Sequence, residues 1–330
     1  MSNWISTIPS KYAGGDLGGL SREVWLLYFR IPLTVINSIG IVANILLFVM
    51  LLLLRSRQEI SEAGLIVLVN QSFIDFFNVS FAIIYTLVDV NSMPVTSEDL
   101  EWVRAAICLG WHTQYPYWIA YGVSVFNEMI LSFERYIAIV HQFKQHKFRS
   151  ILPGLIAINY LMNFVFNLPY ITYNEYNYET RECSSRYFDG TFYFLRWYAA
   201  LWAFEAYLLP GLGLLYFNLK SIITLRKSDK VLVTSVSMPK RLGLKTKASA
   251  LLFKTAAVSL SYYLTMTYVT YFYVTQSLDG FYDTYDVRNI IGTSLATVHF
   301  SLNPIIALFF LPGIRRSSVS LLSMQKVEIL

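Results

Sequence analysis

The chain has 330 residues, of which 55% are hydrophobic, 16% aromatic and only 14% charged, with a net charge of +5. A soluble domain usually carries about 25% charged residues to wet its surface. So apolar a chain excludes a soluble fold and a nucleic-acid partner, and points to the lipid bilayer.

The first 23 residues are mixed and lack the apolar core of a cleavable signal peptide, so residues 1–23 read as a short N-terminus and the first helix as the insertion signal. Seven windows of roughly 20 apolar residues follow, the length that crosses about 30 Å of hydrocarbon at 1.5 Å per residue. The clearest is "IPLTVINSIGIVANILLFVMLLLL", Ile31 to Leu54, without a charge. The others centre on residues 65–87, 106–139, 151–171, 197–225, 248–278 and 290–311. Strand alternation is missing and open strands cannot satisfy their backbone in lipid, so the expectation is an all-α membrane protein, a seven-helix bundle over residues 24–311. There is no internal repeat.

Lys and Arg set the orientation. Arg55, Arg57, Lys144, Lys147, Arg149, Arg226, Lys227, Lys230, Lys240, Arg241, Lys245, Lys247, Arg315 and Arg316 fall on one side, which should be cytoplasmic. The opposite loops collect acids, among them Glu98, Asp99, Glu101, Glu179 and Asp189, so the N-terminus should be extracellular. Cys108 and Cys183 both fall on that oxidising side, where a disulfide between them is expected. The tail, residues 312–330, is short, and "IRRSSVSLLSM" could lie as an amphipathic helix in the interface.

Several spans carry polar residues that lipid would not tolerate without a purpose. "LSFERYIAIVHQF" ends the third span with Glu134 and Arg135 side by side, followed by Tyr136. "LVNQSFIDFF" puts Asn70 and Asp75 on the second, "GIVANILL" puts Asn44 on the first, and "SLNPIIALFF" puts Asn303 and Pro304 on the seventh. Taken alone, Arg135 is equally an interfacial side chain reaching for water. Asp75 is different, because a charge at the bilayer centre costs about 2.5 kcal/mol or more, so it should face inward and have partners.

In this order, with "ERYIAIVHQFKQHKF" the most specific run, these marks resemble the rhodopsin-like family of G-protein-coupled receptors along essentially the whole chain. The resemblance implies a ligand-driven switch at the plasma membrane, not an enzyme. Its cytoplasmic face would open to a heterotrimeric G protein, with arrestin and a receptor kinase as further partners. It also implies that Glu134 restrains Arg135 at rest. Asn44, Ser124 and Asn303 match the family positions around Asp75, where a sodium ion is often held, and a hydrogen-bonded core without an ion fits equally. His299, one turn before Asn303, could approach Asp75 and supply the positive charge instead. Glu128 stands two turns outward of Arg135 with nothing basic near it on its own helix, and a buried carboxyl can avoid the charge penalty by staying neutral.

The chain also departs from the family. The sixth span, "LLFKTAAVSLSYYLTMTYVTYFYV", lacks the family's Trp and Pro, so its bend should be small or have another cause. Asn218 and Ala307 replace tyrosines of the activation relay, and Asn159 replaces a tryptophan. The interval from Cys108 to Arg135 is two residues longer than the family's, an excess to be absorbed near Pro116. Where relatives hold the arginine with a second acid on the sixth helix, this chain offers Ser249 among Lys245, Lys247 and Lys254.

For the ligand, Tyr117 occupies the place of the amine receptors' aspartate and Thr297 that of the visual pigments' lysine, so a biogenic amine and retinal are not implied. The outer half is rich in aromatics, including Trp111, Tyr117, Trp118, Tyr121 and Tyr271, with Glu205 among them on the fifth span. Such a cavity suits a peptide or a small amphiphile, the acidic loops favouring a cation. A belt of interfacial anchors reads the same way. The alternatives are a decoy receptor without G-protein coupling, or a channel or transporter using Asp75 and Glu128 as an ion path, although the repeated halves typical of transporters are absent.

Overall fold

A computed structural model describes residues 22–54, 61–87, 101–141, 144–179, 182–185, 191–232, 238–278 and 287–310. The N-terminal segment, the proposed tail helix and the side chains of Lys245, Lys247, Ser249 and Lys254 lie outside the described residues. Helix α1 is Arg22–Leu54 and α2 is Glu62–Leu87. The third span is interrupted: α3, Glu101–Ala106, runs into a π-helical stretch, Ile107–His112, before α4, Tyr115–Val140. The fourth span is α5, Gln145–Phe166, followed by a hairpin of β1, Asn174–Asn177, and β2, Glu182–Ser185. The fifth is α6, Thr191–Ala203, joined by a π-turn, Phe204–Leu208, to α7, Leu209–Leu232. The sixth and seventh are α8, Met238–Leu278, and α9, Val287–Phe310.

Five of these segments are long and apolar enough to cross a bilayer by themselves: Ile31–Leu53, Glu62–Tyr85, Gln145–Phe166, Arg196–Lys227 and Ile291–Phe310. The third and sixth spans are more polar because they stand between others and turn polar groups inward. Helix α4 is the axis, with a buried run from Tyr115 to Ile137 that packs on α2, α5 and α7. Helix α1 shows how lipid sorts a face: Val35, Val42, Leu46, Val49 and Leu53 are exposed, whereas Asn37, Asn44, Leu47 and Leu51 are buried. Both faces are apolar in bulk, so the polar residues mark the inside.

The expected irregularities fall where local chemistry demands them. The long interval before Arg135 is absorbed at Thr113 and Gln114, where Gln114 takes φ 56° and Pro116 begins the next helix within its first turn. Pro210 cannot donate a backbone hydrogen bond, and the helix widens into the π-turn just before it. The Tyr262 hydroxyl on α8 donates to the carbonyls of Ala206 and Tyr207, at 2.9 and 3.0 Å, and Tyr263 donates to Gly211 O at 2.7 Å. Two neighbouring phenols thus staple α8 to the irregular turn. Helix α8 itself, without proline in its membrane half, stays continuous to Leu278.

The loop after the fourth span contains a hairpin, with Tyr176 paired to Cys183 and β1 lying on the Ile107–His112 segment. Asn159 holds α5 to α4 through its amide, which donates to Val123 O at 2.9 Å, and Asn163 and Asn167 continue the ladder along α5.

Helices α1 and α9 come close together at Gly40, where an added Cβ would lie 2.4 Å from Ser301 Oγ and 3.0 Å from Ser301 Cα. Because backbone must then move, Gly40→Ala should destabilise the bundle by about 1–3 kcal/mol. A lower melting temperature of the detergent-solubilised protein, beside an unchanged Gly110→Ala control where nothing lies within 4 Å, checks this.

Candidate functional site

Three helices each bring two polar side chains one turn apart to the centre of the bundle: Gln71 and Asp75 on α2, Ser124 and Glu128 on α4, His299 and Asn303 on α9. All six are buried. Asp75 Oδ1 accepts from the Ser124 hydroxyl and from Gln71 Nε2, the latter at 2.9 Å. Asn303 Nδ2 donates to Asp75 Oδ2 and to Glu128 Oε1, both at 2.9 Å, so one amide bridges the two carboxyls. His299 Nε2 meets the same Glu128 oxygen at 2.9 Å, and its Nδ1 lies 3.1 Å from Ser261 Oγ on α8.

The network continues sideways. Asn127 donates to Gln71 Oε1 at 2.7 Å, Asn70 donates to Asn127 Oδ1 at 3.0 Å, and Tyr160 on α5 donates to Asn70 Oδ1 at 3.0 Å. An unbroken chain of hydrogen bonds therefore runs from α5 through α2, α4 and α9 to α8. In lipid such groups have no water to fall back on, so each link helps fix the relative rotation of its helices.

His299 hydrogen-bonds Glu128, the imidazole on α9 facing α4 at that level, with Asp75 also within electrostatic reach. Glu128, with no base on its own helix, thus has one from another. One expectation is corrected. Asn44 stays outside the Asp75 contacts: its amide donates to Gly40 O at 3.0 Å and Phe300 O at 3.4 Å, holding α1 to α9.

At the inner end, Glu134 accepts from the Ser61 hydroxyl at 2.6 Å, and Ser61 in turn caps α2 by accepting from Gly64 N at 3.0 Å. Arg135 is buried nearby. A cavity of about 10 Å³, of the order of one water, is lined by Glu128, Ser132, Arg135, Ser259 and Asn303. It places Arg135 directly beneath the central network. Tyr136 stacks on Phe133 and its hydroxyl lies 3.2 Å from His141 Nε2. Asn218, standing where relatives have a tyrosine, donates to Ser259 on α8 at 3.0 Å. Pro304 is buried beside Asn303.

At the outer half, Tyr117, Trp118 and Tyr121 are all buried. Trp118 and Tyr121 pack on Trp202 at 5.6 and 6.1 Å, and Trp202 lies 4.7 Å from Tyr273. The Tyr117 hydroxyl meets Thr297 Oγ1 at 3.2 Å, joining α4 to α9. Glu205 is buried in the π-turn. Trp111 sits apart, against Tyr85 at 4.5 Å. Tyr271 does not belong to the cluster: it is 67% exposed, because its position on α8 faces away from the bundle. Among the described residues no group of three metal-ligating side chains converges and no free thiol remains.

Sequence reading missed Gln71, Asn127, Ser261 and Ser61. Gln71 was accessible, since it precedes Asp75 by one turn just as Ser124 precedes Glu128. Ser261 and Ser61 had no such signal.

A seven-helix membrane bundle with a polar core above a buried arginine is receptor architecture. Residues 43–306 match the family described as 7 transmembrane receptor (rhodopsin family), and the chain belongs to it. No curated protein matches the chain.

Removing one member of the His299–Glu128 pair strands the other in a dry site, at a cost of about 3–5 kcal/mol, whereas replacing both partners costs less. His299→Ala should therefore lower the melting temperature more than the double change with Glu128→Gln, a comparison read from thermal unfolding of the three proteins.

Proposed function

We propose that the protein is a plasma-membrane receptor, not an enzyme, that takes an extracellular ligand, most favourably a peptide, and activates a heterotrimeric G protein. The observation that carries this reading is the hydrogen-bonded column on α4. Aromatic rings at its outer half, Ser124 and Glu128 at its centre and Arg135 at its inner end belong to one helix axis, and Ser124 joins it to Asp75 of α2. A ligand that shifts the rings relative to α6 and α8 thereby loads the same helix that holds the switch.

In the resting state Ser61 and Glu134 keep the α2–α4 junction closed around Arg135. Activation releases that junction and presents Arg135, Tyr136 and the basic residues at the end of α7 and the start of α8 to the G protein, and subsequently to a receptor kinase and arrestin. The His299 imidazole sits against Glu128, and hydrogen bonds from Gln71, Ser124 and Asn303 occupy Asp75, so the polar core leaves little for a sodium ion and sodium should hardly change agonist affinity. Cys108 pairs with Cys183: Cys108 is buried, no free thiol remains among the described residues, and β1, whose Tyr176 pairs with Cys183, lies on the Cys108 segment. A channel has less support, because the polar groups of the core are largely spent on one another.

Expression with a panel of chimeric G proteins and a peptide library tests the reading. An active peptide should signal through wild type and lose its signal in Arg135→Ala. Ser61→Ala should raise ligand-free signalling about two- to fivefold, the effect of losing one restraint of about 0.5–1 kcal/mol. Surface binding of an active peptide with no G-protein recruitment in any chimera would favour the decoy receptor instead.

The disulfide has its own check. Cys108→Ala and Cys183→Ala should each lower surface expression, with the double variant no worse than either single one, because a bonded pair acts as one unit. Additive losses in a surface-labelling assay would show that the two thiols act separately.

A further inference from the structure

We propose that Glu205, together with the aromatic side chains of α4, α6 and α8, is the recognition point for an ammonium group carried by the ligand. The proposal rests on the receptor reading and names the chemistry of its outer site. Glu205 is only 9% exposed, and its Oε1 is shielded from solvent without a hydrogen-bond partner. Ion pairs among the described residues join Arg149 to Glu62 and His299 to Glu128, and none reaches Glu205. The nearest cation along its own helix, Arg196, directs Nε and Nη2 to Leu278 O at 3.1 and 2.9 Å. An ionised carboxylate in this position is costly on its own, and a cation from outside the chain would remove that cost.

The surroundings select what that something is. Glu205 occupies the widened turn before Pro210, and this turn is clamped by the Tyr262 hydroxyl on Ala206 O and Tyr207 O. The acid is thus held on a rigid platform and not on a slack loop. Three residues before Glu205 and about one turn away, Trp202 stacks with Tyr121 at 6.1 Å and meets Tyr273 at 4.7 Å. Aromatic faces carry negative potential and attract a cation within about 6 Å. An acid beside several such faces fits a compact monocation. An anion would be repelled, and a neutral ligand could hydrogen-bond Oε1 but would leave its charge uncompensated.

An ammonium can come from a basic residue of a peptide or from a small quaternary amine, and three probes separate these sources. Thermal unfolding of the purified full-length protein in detergent is followed with n-butylammonium, which copies a lysine side-chain end, with choline, and with 3,3-dimethylbutan-1-ol, the uncharged isostere of choline. At about ten times its Kd, a bound ammonium should raise the melting temperature by about 3 °C. Response to n-butylammonium alone assigns a peptide side chain, and response to choline alone assigns a quaternary amine. Response to both supports the site without separating the sources. Glu205→Gln should abolish the rise while melting no lower than wild type in the absence of probe, because the buried acid is gone.

Equal stabilisation by the neutral isostere, a retained response in Glu205→Gln, or no response to either cation overturns the proposal. The wild-type comparison of choline with its isostere decides the matter even if the variant does not fold. None of these readouts uses a G protein, so failed coupling and failed ammonium binding are distinguishable.

Discussion

The bundle is organised by one constraint: a polar group inside a bilayer must find its partner on another helix, because water cannot substitute. Asp75, Glu128 and His299 are the most expensive such groups, and Asn303 is the hinge between them, its single amide nitrogen donating to both carboxyls. Around this joint the remaining links follow in sequence, Gln71 and Ser124 on one side, Ser261 on the other. Apolar packing between helices is nearly indifferent to rotation in lipid, since hydrocarbon tails compete equally. Directional hydrogen bonds are not, and they select the rotation of α2, α4, α8 and α9.

The same constraint places the function. A network that is fully paired is stiff, and one that can exchange partners is a switch. The Glu128 Oε1 atom accepts from two donors while its Oε2 has no partner, and the small cavity with Arg135 opens beneath it. Glu134, held by a helix-capping serine, ties the inner end of α4 to the start of α2. Movement of α4 therefore touches both acids that flank the arginine.

Substituted residues take over mechanical tasks in their own way. The sixth span has neither the tryptophan nor the proline of its relatives, yet Tyr262 and Tyr263 couple it to α7 through backbone carbonyls freed near Pro210. Asn218, in place of a phenol, still links α7 to α8 through Ser259. Ala307 on α9 is buried in the inner core cluster with Leu47, Leu51 and Ile130. Such contacts hold the helices in the same neighbourhood with different chemistry.

Composition and hydropathy alone determined that the chain enters a membrane, that it crosses seven times, and that its polar side chains such as Asp75 had to be inward, because lipid imposes those answers residue by residue. The polar positions at one-turn spacing on the second, third and seventh spans were legible too, for helical periodicity puts them on one face. Which of those groups meet was not legible. Whether His299 reaches Asp75 or Glu128 depends on a few ångströms of axial offset between α9 and its neighbours. Whether Tyr271 or Tyr273 faces inward depends on the rotation of α8, which the aromatic run leaves undetermined. Ser61 and Ser261 become partners only when distant helices are brought side by side. Tertiary structure decided these pairings, since offset and rotation are settled by all the helices together and by no single one of them.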